Sequence, residues 1–173
     1  MDWYSTAFEL IDLRSFSNLW FWIMLAVIWS TASHFVLGVP YDLVLRAARH
    51  GGAAEQDMLD MVRINAGRLI YIADVAGSWL IGIGFFVVTS LVLLGFGYGV
   101  EFCQAVALIV TPMLLVFALS VRRARKVIGL PAAETRKGLR AHRLIVQIIG
   151  MFSILFTSMW GMFYNLTVGV LGG

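Results

Sequence analysis

The sequence predicts an all-α integral membrane fold with four transmembrane helices. Both termini lie outside, and amphipathic cytoplasmic helices connect the first and second spans. Two observations carry this prediction. The 173 residues are 60% hydrophobic and 13% charged, with a mean hydropathy of +0.86, whereas a soluble domain is about a quarter charged. The charges are also unevenly placed. No Asp, Glu, Lys or Arg occurs from Leu19 to Val39, from Val75 to Val100, from Phe102 to Val121, or from Leu144 onward. Each run reaches the ~20 residues that cross ~30 Å of hydrocarbon as a helix. The ~10-residue alternation of β-barrel spans is absent.

Orientation follows from Lys and Arg. Of 13 in the chain, only Arg14 precedes the first span. Arg46, Arg49, Arg63 and Arg68 lie between the first and second. Arg122, Arg123, Arg125, Lys126, Arg136, Lys137, Arg140 and Arg143 lie between the third and fourth. These two loops share a face, and the positive-inside rule assigns it to the cytoplasm.

The expected spans are 19–39, 71–96, 100–121 and 144–165, with cytoplasmic segments 40–70 and 122–143, in a single domain. The opening "MDWYSTAFELIDLRSFSN" carries three acids and one Arg. It lacks the basic start of a signal peptide and reads as a short amphipathic lead-in to an uncleaved first span. Trp20 and Trp22 mark that span's outer end, and Gly38 and Pro40 are expected to end it. "PYDLVLRAARH" then reads as a short interfacial helix, with Asp42 near its positive end, Arg46 and Arg49 near its negative end, and a stop at Gly51-Gly52.

In "AAEQDMLDMVRINAGRLIYI", Met58, Met61, Val62, Leu69 and Ile72 fall near one helical face. Asp60 and Arg63 are spaced to pair at i, i+3. Whether this helix runs into the second span is open from sequence. Gly95, Gly97 and Gly99 form the external turn, the third span continues through "RRARKVI", and Gly129 and Pro131 break it.

The candidate sites are polar residues within spans. His34 is a weak candidate for haem. A bis-histidine site needs two imidazoles at matching depth, and His142 sits among arginines at or outside the interface. The expected role of His34 is a hydrogen bond to a neighbouring helix, because an unpaired polar group in hydrocarbon is costly. Glu101, Gln104 and Thr111 follow one face of the third span. Asp74 is the other acid near a span, and such residues can mark transport pathways. Interfacial acids with no pathway are the expected reading, since Glu101 belongs near the outer face and Asp74 near the inner.

Ala26, Ser30 and Ser33 on the first span, and Gly150, Ser153, Thr157 and Gly161 on the fourth, form small-residue stripes for packing or for a partner. Trp29 and Trp160 sit near mid-membrane, which points to burial. The eight basic residues of the 122–143 loop suit anionic lipid headgroups or a protein partner, with no nucleic acid expected. Arg46, Arg49 and His50 are spaced to cradle a phosphate, but a solvated face is the expected reading.

The lone cysteine, Cys103, gives neither an internal disulfide nor a thiolate cluster. P-loop, GxSxG, HExxH and CxxC motifs are absent. No cofactor or metal is expected, and the chain is not expected to be an enzyme.

"ELIDLRSFSNLW", "WSTASHFVLGVPYDLVLRAARHGG" and "DMVRINAGRLIYIADVAG" look similar to a small membrane-protein family of photosynthetic and marine alphaproteobacteria. Its members are often labelled as a component of the Suf iron–sulfur assembly complex. The resemblance covers nearly the whole chain and implies a multi-pass protein of the bacterial inner membrane. It carries no site residue over to this sequence.

The function expected is a non-catalytic accessory subunit or scaffold of a larger inner-membrane complex, with a heteromeric membrane-protein partner or homo-oligomer. The alternative is a small oligomeric transporter or channel. A haem-binding membrane protein is the third reading.

Overall fold

The computed structural model describes residues 15–171, with side chains through Thr167. Most of the proposed lead-in, residues 1–14, lies outside the described residues. Among those described, five α-helices account for most of the chain. They are α1 (Leu19–His34), α2 (Tyr41–His50), α3 (Ala53–Val92), α4 (Glu101–Val127) and α5 (Ala132–Leu171). Three segments are long and apolar enough to cross a membrane: Ala53–Gly97, Glu101–Val127 and Ala132–Thr167. The apolar helix α1 is shorter, with 16 residues.

Helix α1 starts where Asn18 caps it, its side chain accepting from the Trp20 amide at 2.9 Å, which satisfies one of the orphan donors of a helix start. It ends at His34 and not at Val39. The residues beyond form a tight antiparallel hairpin, β1 (Phe35–Val36) with β2 (Val39–Pro40), pairing Phe35 with Pro40 and Val36 with Val39. Leu37 and Gly38 turn it with φ of 54° and 75°, the two left-handed positions of a type I′ turn. Val36, Leu37 and Val39 are all buried. A continued helix would spread these three apolar side chains around its cylinder, whereas the hairpin puts all three into the core. Asn65 of α3 fastens the turn by donating to the Gly38 carbonyl at 3.1 Å.

Helix α2 buries Tyr41, Val44 and Ala47 at a spacing of three, and Gly51, at φ 61°, stops it. The segment after it runs without a break into the stretch expected to be the second span, as one 40-residue helix, α3. Its buried face is Met58, Val62 and Ala66. Met61 and Ile72 are exposed, because helix neighbours recur at three and four residues and the core takes only the strict four-residue line. The Asp60–Arg63 pair forms at 3.2 Å. A π-helical turn, Leu93–Gly97, closes α3. Helix α4 runs through the basic segment to Val127, and Gly129 at φ 80° reverses the chain into α5.

At the basic end, α2, the hairpin and the ends of α3, α4 and α5 share a core built on Val36, Val39, Met58, Val62, Ala124 and Leu139. A second core lies between the long helices, where Leu25 and Trp29 of α1 meet Val116 of α4 and Val146 of α5. Helix α1 runs antiparallel to α5. Phe16, just before it, lies against Gly161, and its last turn meets Arg143, which donates to the Ser33 carbonyl at 3.2 Å. Over the membrane-length part of α3 the side chains point mostly outward, with Trp79 76% and Phe86 73% exposed.

Candidate functional site

Among the described residues, a polar cluster lies at the end opposite the basic segments, where the chain before α1 meets α4 and α5. Glu101 occupies the first turn of α4, where a carboxylate suits the helix dipole, and it is buried. The Phe16 amide donates to Glu101 Oε1 at 2.6 Å. The Phe16 carbonyl accepts from Trp22 Nε1 at 3.1 Å. Gln104, one turn further along α4, is also buried. Its Nε2 donates to the Gly95 carbonyl at 2.8 Å, and its Oε1 accepts from Trp160 Nε1 at 2.9 Å. Gly95 is required here. A Cβ on it would sit 2.7 Å from the Gln104 backbone nitrogen, so only glycine lets the π turn close on α4. Ser17 Oγ donates to Asn165 Oδ1 at 3.0 Å beside this cluster.

These bonds join the segment before α1, the turn after α3, and helices α4 and α5. Each group of Gln104 is committed to a bond that holds two elements together, so the arrangement acts as a polar clasp. Glu101 and Gln104 were legible as a pair from their spacing. The roles of Phe16 and Gly95 were not, because their backbone groups carry no sequence signal.

Thr111 lies on the same face of α4 as Gln104, yet it is exposed and lines a groove between α3 and α4. Thr111 lies about two turns further along α4, away from the turn at Gly95 that covers Gln104. Asp74 lies at the basic end, exposed and ion-paired with Arg125. Glu101 and Gln104 are thus enclosed among helices, and Asp74 and Thr111 are on an open face, so the four do not line one path.

His34 is the last residue of α1 and is exposed, with the Phe35 ring edge-on at 5.0 Å. The expected hydrogen bond to a neighbouring helix is not formed among the described residues. The early end of α1 explains this, since it places His34 at the helix terminus and not within the expected span. The buried histidine is instead His142. Its Nε2 lies 3.0 Å from Ser120 Oγ, which itself donates to the Val116 carbonyl at 2.7 Å. With the hydroxyl proton so used, Nε2 is the donor to Ser120. Its place among arginines hid it in the sequence.

The stripe on α5 is internal. A Cβ on Gly150 would meet the Trp29 ring at 2.6 Å, and one on Gly161 would meet Phe16 at 3.0 Å. Thr157 is fully buried. Trp29 Nε1, Ser153 Oγ and Thr157 Oγ1 are buried along these faces with no hydrogen-bond partner among the described residues. On α1, by contrast, Ala26 and Ser30 are exposed and Ser33 is half-buried, with its hydroxyl donating to the Ser30 carbonyl at 3.0 Å.

Of the eight basic residues in 122–143, three have partners among the described residues. Arg125 pairs with Asp74 and Arg136 with Glu55. Arg143 stacks 3.8 Å over the Tyr41 ring. Arg122, Lys126, Lys137 and Arg140 are exposed, and Arg123 is half-buried. Arg46 pairs with Asp57 at 3.0 Å, so its guanidinium is already engaged by a carboxylate. Among the described residues, no group of three or more His, Cys, Asp or Glu is placed to hold a metal ion.

No family model matches this chain, and no curated protein or solved structure is significantly similar to it.

Proposed function

We propose that the protein is a four-span membrane scaffold or accessory subunit of the bacterial inner membrane, non-catalytic, that holds a second membrane protein against α1. In this reading the basic end is cytoplasmic and both termini are outside. Two placements support α1 as a full span despite its 16 residues. The chain before it bonds to Glu101 and Asn165 at one end, and its last turn meets Arg143 at the other. A helix of ~24 Å with its flanking turns is within the mismatch a bilayer accommodates.

The observation that carries the partner is the division of α1 into two faces. Leu25 and Trp29 are spent on the core. Ala26 and Ser30, turned roughly 100° away, are exposed. Small side chains give close backbone approach when another helix lies over them and gain little against lipid. The α5 stripe differs, since Gly150 and Gly161 already face Trp29 and Phe16 of the same chain.

The test is photocrosslinking in native membranes. A photoreactive residue at Ser30 is expected to give a heteromeric product, lost when Ala26→Leu is added, while the same residue at Phe86 gives no such product. A product of two copies of this chain would favour the oligomeric channel, and no protein product at Ser30 would remove the accessory-subunit reading.

A further inference from the structure

We propose that the groove between α3 and α4 is a binding site for one acyl chain of an anionic phospholipid, drawn from the leaflet at the basic end. It rests on α3 and α4 lying in a bilayer and needs no protein partner on α1. The groove has a volume of about 710 Å³ and is lined by Ala73, Gly77 and Gly84 on one side and Leu114, Phe117 and Arg125 on the other, among others. Its wall is apolar almost throughout, and the one charged lining residue, Arg125, stands at one end.

Three features select the occupant. The first is length. From Ala73 to Gly84 the helix rises ~17 Å, about half the ~30 Å hydrocarbon thickness, so the groove spans one leaflet. Near Gly84 the Leu114 methyls come within 3.5 and 3.7 Å of the position of a Cβ, and this contact narrows the deep end. The second is chemistry. Between its two ends the lining is apolar, with Gly77, Leu80, Ile81 and Leu114 among it, which suits an alkyl chain and offers a polar occupant no partner. The third is charge. Arg125 sits at the open end, held by Asp74. Arg122 is exposed one turn beyond Ala118, another lining residue, and Lys126 is exposed beside it. Asp74 neutralises one cation, and Arg122 and Lys126 leave the mouth positive. A negatively charged phosphodiester seated there places its chain against apolar side chains, and a zwitterionic headgroup gains less. Lateral access is open, since Trp79 and Phe85 on α3 are 76% and 72% exposed.

The experiment uses the full chain in nanodiscs with a phosphatidylglycerol that carries a diazirine in mid-chain. Labelling should concentrate on residues of α3 and α4 facing the groove. A tenfold excess of unlabelled phosphatidylglycerol should compete, and phosphatidylcholine should not. Gly77→Leu should lower labelling at least fivefold, since nothing lies within 4 Å of a Cβ at Gly77 and the added side chain enters the groove. Ala118→Phe does the same from α4, should Gly77→Leu fail to fold. Arg122→Gln should reduce the preference for the anionic lipid about fivefold, the effect of one cation at a membrane surface. Labelling spread evenly over the exposed helix faces and unchanged in both filled variants would overturn the site. Equal competition by the two lipids would overturn its anionic selectivity, and a crosslink joining two chains through this groove would replace the lipid by a second copy. Loss of the Ser30 protein crosslink with groove labelling intact would count against the partner on α1 alone.

Discussion

Gly150→Leu is expected to lower the stability of the folded protein in detergent by about 3 kcal/mol, at the upper end of overpacking costs. A Cβ at this position would lie 2.6 Å from Trp29 Cε3 and 3.0 Å from Cδ2, closer than real Cβ contacts. The indole cannot simply swing aside, because Trp29 is buried among Val116, Val146 and their neighbours. Helix α1 must therefore move off α5 or tilt. The measurement is thermal or SDS-induced unfolding of the purified protein. Trp29→Ala should itself destabilise by leaving a cavity, but adding it to Gly150→Leu should cost less than the sum of the two changes. That non-additivity identifies the contact between them as the cause. Additive costs would mean that the glycine serves something other than Trp29.

Gln104→Leu is expected to cost about 2 kcal/mol. The side chain is buried and makes two bonds to different elements, at 2.8 Å to the Gly95 carbonyl and 2.9 Å from Trp160 Nε1. Single interhelical bonds in membrane proteins average only ~0.6 kcal/mol. Here one substitution leaves a donor and an acceptor enclosed without partners, which costs more than the bonds themselves are worth. The same unfolding measurement checks it. Fluorescence adds a specific readout, since Trp160 loses its hydrogen bond. A change below about 0.5 kcal/mol, the usual range of surface substitutions, would show that the clasp does not hold the far end together.

How much of this was legible in the sequence depended on whether side chains or backbone made the contact. Charge-free runs and helix punctuation are local signals. Gly51 and Gly129 accordingly mark real boundaries, and Pro40 marks the start of α2 but not the end of α1. The end of α1 was misplaced because nothing apolar distinguishes Phe35, Val36 and Leu37 from the helix before them. The hairpin exists only because a core formed by α2, α3 and α5 is there to take Val36, Leu37 and Val39. That tertiary preference overrode local propensity, and it carried the depth of His34 with it.

The small-residue stripes were visible as stripes, but their destinations were not. Gly150 and Gly161 face Trp29 and Phe16 of the same chain, while Ala26 and Ser30 face outward. Spacing identifies a face and is silent on what covers it. The groove between α3 and α4 was hidden for a related reason. It depends on how far two helices stand apart, and both of its walls read as ordinary membrane spans.

The central claim is that α1 crosses the membrane together with the three longer helices, with the basic end in the cytoplasm. Single cysteines at Ser17, Tyr98 and Lys137 in a Cys103→Ser background test it with an impermeant thiol reagent applied to intact cells with permeable outer membranes. All three positions are exposed. Ser17 and Tyr98 should label from outside, and Lys137 should label only after the inner membrane is opened. Protection of Ser17 with labelling of Tyr98 would contradict α1 as a span, and labelling of Lys137 in intact cells would contradict the orientation.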